Sequence, residues 1–198
     1  MAIRKLILAA AAAATLAVPA AAQFASQGYT FIQAVRQREG DKAIELLKQP
    51  GSNVVNYRDD SGEAAIHVVT GRRDLTWLRY LLAQGADANL SNRGGDTALI
   101  IAARIGFAEG ADALLRRGAQ VDKANRLGET PLIVAVQQRQ MPLIRLLVDK
   151  GANPDKTDNA TGRSARDYAK RDARAAEMLR LMEATKPAPA RPVAGPGL

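Results

Sequence analysis

Gly95-Asp96-Thr97-Ala98-Leu99 returns as Gly128-Glu129-Thr130-Pro131-Leu132, thirty-three residues further along the chain. Weaker copies stay in step: Gly62-Glu63-Ala64-Ala65-Ile66 lies one interval upstream, and Gly162-Arg163-Ser164-Ala165-Arg166 lies thirty-four residues downstream. A second phrase keeps the same period, in Leu81-Leu82-Ala83-Gln84-Gly85-Ala86-Asp87, Leu114-Leu115-Arg116-Arg117-Gly118-Ala119-Gln120 and Leu147-Val148-Asp149-Lys150-Gly151-Ala152-Asn153. Two phrases locked to one interval mark a solenoid, whose units bury their apolar faces only against one another.

Each position in the phrases has a local task. The glycine of the first phrase suits a turn with positive φ, and Thr97, Thr130 or Ser164 then caps the first amides of a helix. Pro131 follows such a cap, where its missing N–H costs nothing. Gly85, Gly118 and Gly151 suit the left-handed residue that ends a helix. Between the phrases fit two short amphipathic helices, predicted in the third unit over about Leu99 to Ile105 and Glu109 to Arg117 with Gly106 at their turn. Leu75, Leu78, Leu81 and Leu82 form the core stripe of one second helix, and Met141, Ile144, Leu147 and Val148 that of another. The copy between them has only Ala108 and Ala111 before Leu114 and Leu115, so it is expected to bury less.

Phrases and period together resemble the ankyrin repeat family from about Thr30 to Met182. The resemblance implies an all-α ankyrin-repeat solenoid of stacked helix-turn-helix units with short β-hairpin loops. Five units follow, near 30–58, 59–91, 92–124, 125–158 and 159–185. The first is read from Phe31, Ile32, Ala34 and Val35 followed by Ile44, Leu46 and Leu47. Two departures stand out: Ala64 replaces the family's capping Thr, and Arg166 replaces a buried Leu. The first loses a cap worth about 1 kcal/mol. The second suits a terminal unit, whose outer face meets water along with Arg163, Asp167, Lys170, Arg171, Asp172 and Arg174.

The ends read differently. Arg4 and Lys5, the apolar run Leu6 to Val18 and the small residues Ala20 to Ala22 make residues 1–22 a secretory signal peptide, cleaved near Ala22. The expected destination is the periplasm or the extracellular space. Residues 23–29 form a short N-terminal segment, and 186–198, rich in Pro, a disordered tail. Without cysteine, the fold relies on packing alone in an oxidising compartment. The whole chain carries +8 from 28 cations and 20 anions, and loss of residues 1–22 leaves +6.

The inventory for catalysis is poor. One histidine, His67, cannot supply a zinc cluster, and it falls where the resemblance implies structural hydrogen bonds. Asp59, Asp60 and Glu63 are close enough to suggest paired-acid chemistry, but Asp59, Asn92, Asn125 and Asn159 put a short polar residue at each unit's opening, which turn geometry explains. No enzyme activity, metal or cofactor is therefore expected. Trp77 and Tyr80 lie on a second helix, where packing between units is their expected role.

The resemblance implies instead a protein partner on the concave face. Its contact positions carry over to Asp60, Ser61, Glu63 and Arg72, then Arg93, Asp96, Arg104 and Ile105, then Arg126, Leu127, Glu129, Gln137 and Gln138. Arginine occurs in all three sets and grips carboxylates in bidentate fashion, which favours a partner with an acidic surface. The alternative is electrostatic binding of an anionic polymer or membrane surface through that arginine stripe. A monomer is expected, with neither nucleic-acid binding nor stable membrane insertion.

Overall fold

The computed structural model describes residues 20–173 and 175–183. The charged and apolar start of the proposed signal, the Pro-rich stretch 186–198, and Arg174 of the charged cap all lie outside the described residues. The helices are α1 Ala20–Gln37, α2 Gly40–Lys48, α3 Ala65–Gly71, α4 Leu75–Ala83, α5 Ala98–Ile105, α6 Ala108–Arg116, α7 Pro131–Gln137, α8 Met141–Asp149, α9 Ala165–Ala169 and α10 Ala175–Glu183. Each odd helix packs on the even helix that follows it. Along the stack α1, α3, α5, α7 and α9 form one layer, and α4, α6, α8 and α10 the other. This is the expected all-α solenoid. Helix α1 runs through residues 23–29 without a break.

The hairpins between units are slighter than full β-hairpins: the described residues contain no strand, only isolated bridges between Ser91 and Thr97 and between Thr157 and Ser164. Their tips are shaped by a side chain. Asn92 Oδ1 accepts the N–H of Gly94 and of Asp96, and Asn125 Oδ1 accepts those of Leu127 and Glu129. Asp59 Oδ1 does the same for Ser61 and Glu63. In the last unit Asp158, not Asn159, fills this place, accepting the N–H of Thr161 and Gly162. The extra residue of that interval is absorbed inside the turn, since Asp158 N–H bonds to the Arg163 carbonyl, five residues on, where the other turns close over four.

Adjacent tips also bond to each other. Arg93 N–H donates to the Ser61 carbonyl, Arg126 N–H to Gly94, and Asn159 N–H to Leu127, at 2.8 to 3.1 Å. Below them runs a second set of ties. The Asn56 amide donates to the Gly85 carbonyl and its oxygen accepts Asp87 N–H; Asn89 repeats both bonds with Gly118 and Gln120, and Asp122 accepts Asn153 N–H. Every tie runs from one unit to the backbone of the next.

The predicted caps are present: the Thr97, Thr130 and Ser164 hydroxyls accept the N–H of Ile100, Ile133 and Asp167. The Ala64 methyl cannot accept a hydrogen bond, but His67 answers part of the loss. Its Nδ1 accepts the Ala64 N–H at 2.9 Å while Nε2–H donates to the Leu90 carbonyl, also at 2.9 Å.

Ile66, Leu99 and Leu132 occupy equivalent, fully buried positions in successive units. At the next one Arg166 turns to the surface and pairs with Asp155 at 2.8 Å, as a terminal unit allows. Asp155 is the main reason that the Arg166 guanidinium is held more firmly protonated than usual. Trp77 packs edge-on to Tyr80 at 5.4 Å and approaches Gly40 at the start of α2, so it joins the first two units. The third unit is filled by Phe107, 3% exposed, whose ring lies over Gly110 where no side chain competes. Arg73 sits above that ring, 5.6 Å from its centre.

Candidate functional site

The C-terminal ends of α1, α3 and α5 and the hairpins leading into α3 and α5 enclose a groove of about 510 Å³. It contains Glu63, Arg72, Asp96, Arg104 and Ile105 from the expected contact set, together with Arg36, Val68 and Ile101. Asp60, Arg93 and Arg126 are elsewhere, in a neighbouring depression of about 340 Å³ at the hairpin tips, with Arg58. Asn92 borders both spaces. Leu127, Gln137 and Gln138 are exposed beyond them, while Glu129 is half-buried and accepts a bond from the Asn125 amide.

This arrangement divides the arginine stripe. Arg72 is turned back onto the end of α1, donating to the carbonyls of Val35, at 2.8 Å, and of Arg36. Arg104 is paired with Asp96 at 2.7 Å. That bond, opposed by burial, raises the Arg104 pKa above its ordinary value. Burial alone would raise Asp96, yet the bonds from Arg104 and Asn125 outweigh it and hold the carboxyl below its usual range. Arg36 reaches Asp59 at 2.5 Å and Glu63 at 3.0 Å. Burial opposes protonation of Arg36 as well, and the two acids overcome it. Asp59 is likewise held low: burial works against its charge, but bonds from Ser61 and Arg36 prevail. The groove's charges therefore satisfy one another, and Val68, Ile101 and Ile105 form its half-buried apolar strip.

Val68 and Ile101 were missed although they are one period apart, because the corresponding Val134 is buried and the position reads as core. Arg36 was missed because the spacing around the first unit is irregular. Arg58 stands two residues off the register of Arg93 and Arg126, so no repeat position pointed to it.

His67 lies at the groove wall with both nitrogens engaged, which fixes the neutral tautomer and leaves neither atom for catalysis. Burial pushes its pKa below the ordinary value, only partly opposed by the Leu90 carbonyl and nearby acids. Protonation would place a hydrogen on Nδ1 facing the Ala64 N–H. The unfolded imidazole takes up its proton near pH 6.5 and the folded one only at lower pH, so this stability is complete above about pH 6.5 and lost beneath it. The urea midpoint of the intact chain should fall between pH 7.5 and pH 5, with a slope of at most about 1.4 kcal/mol per pH unit. As His67 is the chain's one histidine, His67→Ala should be less stable throughout and nearly flat over that range; an unchanged slope would assign the effect to other groups.

Among the described residues no group of three or more His, Cys, Asp or Glu side chains is arranged to hold a metal, and no helix is long and apolar enough to cross a membrane. The family model for ankyrin repeats, in three copies, matches residues 31–125 and again 74–158. Ankyrin repeats are in general protein–protein interaction modules and are typically non-enzymatic. With overlapping matches across well over half its length, and helix pairs stacked at the same interval, the chain belongs to the ankyrin repeat family.

Proposed function

We propose that this protein is a non-enzymatic module that seats a protein partner along its concave groove. The observation that carries the reading is the apolar strip of Val68, Ile101 and Ile105 between ion pairs that are already satisfied. A partner that covers the strip gains apolar burial without having to disengage Arg36 or Arg104 from their acids. The groove walls are packed helices, so little ordering entropy opposes association. The electrostatic alternative draws less support, because Arg72 and Arg104 are committed within the fold. We place the protein outside the cytoplasm on the strength of residues 1–22, acting as a single copy without a cofactor.

The test is capture from the cell envelope by the immobilised chain, beside an Ile101→Ala, Ile105→Ala variant of matching helical circular dichroism. The partner held by the intact chain should be reduced at least tenfold on the variant, because two apolar anchors are truncated. Undiminished capture would move the interface out of the groove.

A further inference from the structure

The depression at the hairpin tips differs from the groove in that its cations are not all spent. Asp59 belongs to the fold: one oxygen closes its own turn and the other holds Arg36. Three guanidiniums, of Arg58, Arg93 and Arg126, thus share the space with one uncommitted carboxylate, Asp60. Arg93 gives one amino group to the Asp60 carbonyl, and Arg58 lies 3.5 Å from that of Ser91. The Arg126 guanidinium has no hydrogen bond or ion pair with any described residue. Beside it Leu127 is 55% exposed, one of only two large apolar side chains so open among the described residues.

The backbone here offers little to a ligand. The N–H groups of Arg93 and Arg126 are bonded to the preceding tips and that of Gly94 to the Asn92 side chain. Recognition must therefore come from side chains, which rules out the addition of a strand. The mixture of guanidinium donors with an exposed leucine suits an acidic peptide better than a uniform polyanion, which has no apolar group to set on Leu127.

Register sets the spacing. Arg93 and Arg126 occupy equivalent places in consecutive units, and stacked helices lie about 8–10 Å apart. A polyproline II segment rises ~3.1 Å per residue with three residues per turn, so side chains three apart share a face at about 9 Å. We infer that Arg58, Arg93 and Arg126 bind an extended acidic segment whose carboxylates are three residues apart, with an apolar residue set on Leu127. This deepens the reading of a partner on the concave side by giving that partner a second, charged point of attachment.

The probe is a fluorescein-labelled, proline-rich peptide with two aspartates three residues apart and a following leucine, read by anisotropy on the full chain. Arg126→Ala, whose side chain supports nothing in the fold, should bind it about tenfold more weakly, the loss expected for one charged hydrogen-bonded pair. Arg126→Lys should recover only part of that, since an ammonium lacks the guanidinium fork. A peptide with its aspartates two apart should lose at least as much as Arg126→Ala does. Equal binding by Arg126→Ala, equal binding of both peptides, or absence of binding would each overturn the inference. So would tighter binding of heparin or of phosphatidylglycerol vesicles than of the peptide. The Ile101→Ala, Ile105→Ala chain should bind the peptide normally, so failure at the tips and failure in the groove are told apart.

Discussion

Gly128→Ala is expected to destabilise the stack by about 3 kcal/mol or more, and Gly162→Ala by only about 1 kcal/mol, although both glycines stand at the same place in the repeat. Each has positive φ, 78° at Gly128 and 66° at Gly162. An L-residue there costs about 1–2 kcal/mol. The difference lies in the neighbour. A Cβ on Gly128 would stand 2.5 Å from the backbone nitrogen of Asn159, which must shift or break its bond to Leu127, whereas a Cβ on Gly162 meets nothing within 4 Å. Gly95 is as crowded as Gly128, with Arg126 N at 2.6 Å. Thermal melts followed by circular dichroism should place Gly95→Ala and Gly128→Ala together, roughly 6–12 °C below the intact chain, for a domain of this size. Equal losses at positions 128 and 162 would mean that strain alone governs and that the tips are not in close contact.

Phe107→Ala should cost about 3–5 kcal/mol, the usual range for removing a buried aromatic side chain. The reason for a value near the top is local. Helix α6 brings Gly110, Ala111 and Ala113 to the interior beside Leu114, and Gly110, directly against the ring, has no side chain to move into the space it leaves. Arg73 also loses the ring face it lies over. Since units of a stack are stable chiefly through their neighbours, a void in the middle one should do more than lower the midpoint. Urea unfolding should lose its single transition and separate into two, and Phe107→Leu should restore most of the loss. A single transition displaced by less than 1 kcal/mol would show that the third unit does not depend on this ring.

The same residue marks a limit of what the sequence conveys. The copy with alanines in its second helix was expected to bury less, and Phe107, lying just outside the helix, was not counted toward it. The caps at Thr97, Thr130 and Ser164 and the left-handed glycines were legible because each is a matter of a few adjacent residues. The extra residue of the last turn was assigned one position late, to Asn159, because Asp and Asn at adjacent places are equally good turn formers and only the bonds of Asp158 distinguish them. Long cationic side chains were the least legible. Repeat position marked Arg72 and Arg104 as contact candidates but not the groups that occupy them: the Val35 and Arg36 carbonyls reach Arg72 through how one unit rests on another, and Asp96 reaches Arg104 across the turn of its own unit.

The handoff from Asn56 to Asp87, from Asn89 to Gln120 and from Asp122 to Asn153 uses a backbone amide of the next copy each time, and where Asn56 and Asn89 bond further it is again to backbone, the Gly85 and Gly118 carbonyls. Excising residues 92–124 as a block would present Asn89 with the amide that Asp122 now holds, leaving both terminal copies as they are. The length of the stack is then an adjustable quantity, and the reach of the molecule can be shortened or extended by whole copies without redesigning either end.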